Sequence, residues 1–373
     1  MQVQRLQRIE REQTGGATAR KPVLATMPGP DPLWNTYVED YLPENAGSFR
    51  DHFALLKLAK GRKILILNGS VGRRQRYRDL LFAILLKLSM RHPPAVLMQD
   101  ATWEPASEAL SSEFPFLKKL VPKLARLAIA ALDGPHMRYA VLSSKEVETF
   151  PQTWGVDPRR VVFQPFPNTL HKYRNMPTRD DGYLFSGGNS VRDYGLLEAA
   201  LEGTNVPTRV AAKWQPKRGL PNVQARSTTH DEFMTLMANA HAVVVPIRQT
   251  VRSAGQQTYL NAMGLGKPVI VTDVPGARDY VIDGVTGVIV PSTVEALRAA
   301  ILHVMDPANA GFYAEMAKRA REDVFKRFNE ETFRHGLLLH AGMISQEQFE
   351  RGSGTSAASV GLSIEPGQFQ QAG

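Results

Sequence analysis

Ser253, Ala254 and Gly255 run directly into Gln256, Gln257 and Thr258, where a helix is expected to begin. Small side chains let backbone N–H groups approach a ligand closely, and a helix turns the positive end of its dipole toward its own first turn. That is chemistry for an anion, and a diphosphate fits it. Arg248 and Arg252 arrive in the same loop. Gly187 and Gly188 precede Arg192, and Lys213 follows the next apolar run. A lone Arg or Lys is most often a solvated surface charge. Asp100, in Gln99-Asp-Ala-Thr-Trp103, ends another apolar run. Such an aspartate either orients or deprotonates a hydroxyl, or only caps its loop. Trp103 either stacks on a sugar ring or packs inside.

The elements that must position these residues follow one grammar. Pro22–Thr26, Lys63–Asn68, Ala95–Met98, Tyr139–Leu142 and Arg160–Phe163 are short apolar runs separated by helical segments, the first clear helix spanning Tyr77–Met90. The polar stretch Pro165–Asp181 then interrupts the pattern and is the expected linker. Gly182–Phe185 restarts the alternation, followed by a helix from Arg192, the strand Val206–Ala212, a helix from the capping-box sequence Thr229-His-Asp-Glu232 to Asn239, and the strand Ala242–Val245. Gly264-Leu-Gly266 ends the helix after Gly255, Pro268–Val271 is a buried strand, and Thr272–Gly276 is the loop at its carboxyl end. The fold class is therefore α/β, with two Rossmann-like domains facing across a cleft. The expected boundaries are 1–165 and 166–345, with the last helix free to return to the first domain and 346–373 as a disordered tail.

Composition narrows the partners. The 373 residues are 43% apolar and 22% charged, as in soluble globular proteins. No run of about 18 apolar residues spans a bilayer, and the first twenty residues lack the apolar region of a secretory signal. The absence of cysteine excludes disulfides, thiolate metal sites and a cysteine nucleophile, and is compatible with a cytoplasmic setting. The nine histidines are scattered, so no metal site is expected. A full three-glycine dinucleotide fingerprint is missing, which disfavours NAD. Charge is uneven: ten Lys or Arg residues and one acid, Asp79, lie between Lys57 and Arg91. Downstream, Lys118, Lys119, Lys123 and Arg126 oppose a broad apolar face in the segment Phe116–Leu132, with Pro122 as a kink or early-turn residue. This helix either lies on an anionic membrane surface or packs on the sheet as an ordinary crossover. Nucleic acid is disfavoured, because the basic segment lacks an aromatic stacking series.

Ala262-Met263, Gly266-Lys-Pro-Val-Ile270, Thr272-Asp273, Gly276, Asp283-Gly284, Thr286-Gly287 and Val290-Pro291 together resemble the donor-binding domain of retaining glycosyltransferases of the GT-B type, group 1 or family four. The likeness is strongest over Leu236–Pro291. It implies a nucleotide diphosphate sugar as donor substrate, held by Gly187, Gly188, Arg192, Lys213, Arg252, Ser253, Gly255, Gln256, Gln257, Thr258 and Asn261. It also implies a saccharide or lipid-linked acceptor on the first domain, retention at the anomeric carbon, and no cofactor or metal. The chain departs from that family at its two usual glutamates, which fall here on Ser253 and Asn261. Asn261 keeps an amide for a ribose hydroxyl and Ser253 a hydroxyl for sugar or phosphate, but neither carries charge. The substitutions leave a second reading open, a non-catalytic binding or partner protein of the same fold.

Overall fold

The computed structural model describes residues 20–43, 47–69, 77–104 and 120–362. In the first domain β1 (Val23–Ala25), α1 (Pro32–Tyr37), β2 (Val38–Asp40), α2 (Phe49–Ala59), β3 (Ile64–Asn68), α3 (Arg78–Ser89), β4 (Ala95–Gln99), α4 (Val121–Leu132), β5 (Met137–Val141), α5 (Ser144–Trp154) and β6 (Val161–Phe163) follow one another. The strands form one parallel sheet in the order β2-β1-β3-β4-β5-β6. Ile64-Leu-Ile-Leu67 is buried throughout because both faces of the sheet are covered. The connections from β2 onward step across the sheet in one direction, and right-handed crossovers place α2, α3, α4 and α5 on the same face.

The second domain runs through β7 (Leu184–Gly187), α6 (Tyr194–Leu201), β8 (Thr208–Ala211), β9 (Val223–Arg226), α7 (His230–Ala238), β10 (Ala242–Val245), α8 (Gln256–Gly264), β11 (Val269–Thr272), α9 (Ala277–Tyr280), β12 (Val288–Val290), α10 (Val294–Met305) and α11 (Ala310–Arg327). Its parallel sheet has the order β12-β11-β10-β7-β8-β9. The chain then turns back through α12 (Glu330–His340) and α13 (Gln346–Ser353).

Three strands escape the sequence pattern: β2, β9 and β12. All three are sheet edges, where one side meets solvent and a continuous apolar run is not required. Residues 346–362, expected to be disordered, are instead folded. Phe349, Val360 and Leu362 are buried with Phe333 and Leu337 against Val23, Ala25 and Ile66 on the other face of the first sheet. Pro122 occupies the first turn of α4 and starts the helix without kinking it. The box at Thr229 is half formed: its hydroxyl accepts from Glu232 N at 3.3 Å, while the Glu232 carboxylate turns to Arg226. Lys118 and Lys119 lie outside the described residues. Among the described residues no helix is long and apolar enough to cross a membrane.

Candidate functional site

The carboxyl ends of both sheets border one cavity of about 560 Å³, lined from the first domain by Asp100, Thr102 and Leu142 and from the second by the loops after β7, β8 and β10. Arg192 forms part of its wall. Its guanidinium donates to Gly187 O (3.0 Å), Ser190 O (2.9 Å) and Thr258 Oγ1 (2.9 Å), all neutral acceptors. No carboxylate pairs with it among the described residues, and burial pulls its pKa below the usual arginine value. A sequestered cation without a counter-charge is a site for an anion. Lys213 stands exposed on the same wall, also without a carboxylate partner among the described residues. Gly188 is required beside Arg192: its φ is 98°, and a Cβ there would stand 2.9 Å from Nη2. Gly187 does not line the cavity. The space that its side chain would take is filled by the Phe233 ring.

Gly255, with φ 90°, caps α8, whose N-terminus opens on the cavity together with Gln256, Gln257 and Thr258. Gln256 is buried and its Nε2 donor has no hydrogen-bond partner among the described residues. A side chain at 255 would meet Ile247 at 2.7 Å, so the glycine serves the backbone turn and the core behind it, and does not itself make room for a ligand.

Two of the expected ligand-binding groups also bond within the protein. Asn261 lines the cavity, and its Oδ1 accepts from Thr169 N at 2.9 Å while its Nδ2 donates to Thr169 Oγ1 at 2.8 Å, which ties the amide to the linker and leaves one N–H and one lone pair. Ser253 is 1% exposed, and its hydroxyl donates to Glu146 Oε2 at 2.6 Å. Glu146 comes from α5 of the first domain and also accepts from Ser143 Oγ at 2.9 Å. Burial pushes its pKa up against these hydrogen bonds. The chain thus brings a carboxylate to Ser253 from across the cleft, something that spacing along the sequence does not reveal. Arg252 reaches across in the opposite direction. It lines the cavity, donates to Ser190 Oγ at 3.0 Å and pairs with Glu104 of the first domain at 3.4 Å. Arg248 is exposed and lies off the cavity wall.

Asp100 faces the cavity with φ 56°, in the left-handed region that a non-glycine residue enters only under constraint. Burial raises its pKa to about 6, opposed by the Thr102 hydroxyl at 3.1 Å and by Arg252. Trp103 packs. It is 6% exposed, donates to Gly69 O at 2.7 Å and meets Tyr139 and Trp154 edge-on. The described residues contain no group of three or more metal-ligating side chains.

Two parallel six-stranded sheets facing across a shared cavity define a GT-B architecture. Residues 200–306 match the family model described as glycosyl transferases group 1. No curated protein sequence matches the chain. Among solved structures, Anabaena HepE in complex with UDP and glucose superposes with a TM-score of 0.57 at 15% identity, covering 84% of this chain and 88% of that one. Sucrose-phosphate synthase from Thermosynechococcus elongatus gives 0.54 at 19%, covering 84% and 81%. A glycosyltransferase from Rickettsia africae gives 0.52 at 12%, covering 89% and 90%.

Proposed function

We propose that this chain is a glycosyltransferase that moves a sugar from a nucleotide diphosphate donor, bound on the second domain, to a hydroxyl acceptor held by the first, with retention at the anomeric carbon. The observation that carries this reading is the Arg192 guanidinium, set in the cavity wall with only neutral partners beside the N-terminus of α8. The match to glycosyl transferases group 1 and the UDP bound in the HepE structure support it.

When the bond between the anomeric carbon and the diphosphate breaks, the electron pair leaves with the diphosphate. Arg192, Lys213 and the first turn of α8 stabilise the charge that grows there, while the sugar passes through an oxocarbenium-like state. Asp100, ionised above pH 6 or so and lining the same cavity, takes the proton of the acceptor hydroxyl, which adds to the face that the diphosphate leaves, as retention requires. Glu146 fixes the Ser253 loop and so the approach of the two domains. The absence of cysteine suits a reducing, cytoplasmic setting for this reaction.

Calorimetry with UDP-, GDP- and ADP-sugars, together with an assay for released nucleoside diphosphate, tests the reading. Binding with slow hydrolysis of one donor is expected. Binding without release under any acceptor would mark a non-catalytic protein, and no binding at all would remove the donor site.

A further inference from the structure

The helices on the outer face of the first sheet are apolar on the side turned away from the core. On α2, Phe49 is 79% exposed and Phe53 51% exposed, and their rings pack edge to face with centroids 4.9 Å apart. On α3 the exposed positions Leu81, Leu85 and Leu88 recur at helical spacing, and the buried ones, Phe82 and Leu86, lie on the opposite side. On α4 the stripe is Leu120, Leu124 and Leu127, while Val121, Ile129 and Leu132 face inward. A crossover helix that only covers a sheet needs one apolar face, and α3 and α4 have two. Of the fourteen large hydrophobic residues exposed among the described ones, seven stand on these three neighbouring helices and an eighth, Leu120, is the N-cap of α4.

Among the described residues, charge on the same face has a single sign. Arg50 and Lys57 on α2, Lys60 at its C-cap, and Lys123 and Arg126 on α4 are exposed. The acids of the three helices are withdrawn: Asp51 and Asp79 are buried, the latter paired with Arg78. Apolar stripes among unopposed cations complement a surface that offers hydrocarbon below a layer of negative charge. All three helices begin at the carboxyl edge of the sheet, where Asp100 and Leu142 line the cavity, so Phe49, Leu81 and Leu120 mark the cleft end of each stripe.

We propose that the outer face of α2, α3 and α4 docks on an anionic lipid bilayer, with the Phe49–Phe53 pair and the leucine stripes in the interfacial layer and the lysines and arginines on the headgroups. Docked this way, the mouth of the cavity stands next to the lipid. The docking surface is thus a three-helix face with a phenylalanine wedge, wider than the single basic helix that the sequence suggests.

Co-sedimentation of the full chain with vesicles of phosphatidylcholine and phosphatidylglycerol tests this without any nucleotide, so its outcome is independent of the transferase reading. The protein is expected to sediment with the mixed vesicles at low salt, to be released as salt rises, and to stay in solution with phosphatidylcholine alone. The pair Phe49→Ser and Phe53→Ser should weaken binding on the order of tenfold or more. Lys123→Gln with Arg126→Gln should weaken it by about fivefold for each charge removed. All four side chains are exposed, so far-ultraviolet circular dichroism and thermal melting should match the parent. Failure of the parent protein to sediment at low salt overturns the proposal, as does undiminished binding by the serine pair. A concentration-dependent dimer in sedimentation velocity that the serine pair abolishes, without vesicle binding, would assign the face to a second copy of the chain instead.

Discussion

The two domains share a plan, six parallel strands covered by crossover helices, and differ in what they turn outward. On the second domain α11 shows solvent both signs of charge, with Glu315 and Glu322 beside Lys318 and Arg319. On the first, α2 and α4 show cations only, set among exposed Phe and Leu. Inside the cleft the contrast reverses. The second domain contributes a guanidinium, an ammonium and a helix N-terminus, and the first a carboxylate near neutral titration. One architecture can therefore divide its tasks by face: the edge at the carboxyl ends of the strands sets the chemistry, and the outer helices set the surroundings in which it is done.

The largest effect is expected at the first domain's contribution to the cleft. Asp100→Asn should lower kcat/KM by about 10²–10⁴-fold, the range for losing a positioned base. In the parent, activity should fall as pH drops through about 6, because the carboxylate is the competent form and protonation removes it. The asparagine variant should be flat through that range, and a retained acid limb would move the base elsewhere. Gly255→Val tests the second domain's turn. A side chain there combines a left-handed φ with overlap on Ile247, at about 1–2 kcal/mol for the first and 1–3 for the second, and denaturant unfolding should register the sum as lost stability. Arg192→Ala should weaken nucleoside diphosphate binding by about 1.5–3 kcal/mol, the range for losing a charge-assisted hydrogen bond. Equal affinity by calorimetry would dissolve the assignment of anion binding to this domain.

The smallest expected difference concerns acid. Burial holds His136 and His340 down at about 4, both within or packed on the first domain, His340 through a 3.1 Å contact to Phe163 O. Their unfolded forms take up protons from about pH 6.5 downward. Stability linked to them is complete above that value and is lost as pH falls toward 4. Amide exchange measured across pH 6.5 to 4 should show the first sheet opening before the second. The reverse order would mean that other groups govern acid unfolding.

What the sequence made legible is the part of the site written locally. Gly188 and Arg192 are neighbours in the chain, as are Gly255 and the helix after it, and their glycine turns and apolar runs announce them. The parts it concealed depend on contacts made after both domains have folded. Glu146 meets Ser253 from 107 positions away, and Thr169 takes both ends of the Asn261 amide from 92. Neither helix carries a signal of the pairing, because it is set by the separation of the two sheets. The same holds outside the cleft. The basic character of α4 is visible as a run, whereas the apolar face that it completes with α2 and α3 exists only once three separate helices lie side by side.

The return of α12 and α13 to the first sheet has a consequence for the order of events during synthesis. Strands β7 to β12 and helices α10 and α11 are contiguous, and the second core can close once the ribosome has released residues up to about 327. The first sheet emerges earlier but keeps one face bare, since Val23, Ala25, Ile66 and Leu97 are covered by Phe333, Leu337, Phe349 and Leu362. Translation proceeds at roughly 5–20 residues per second, so that face waits about ten seconds or more after it leaves the exit tunnel. The half of the molecule made first is therefore the half that finishes last, and a released chain truncated after residue 328 should present a folded second domain joined to an unsealed first.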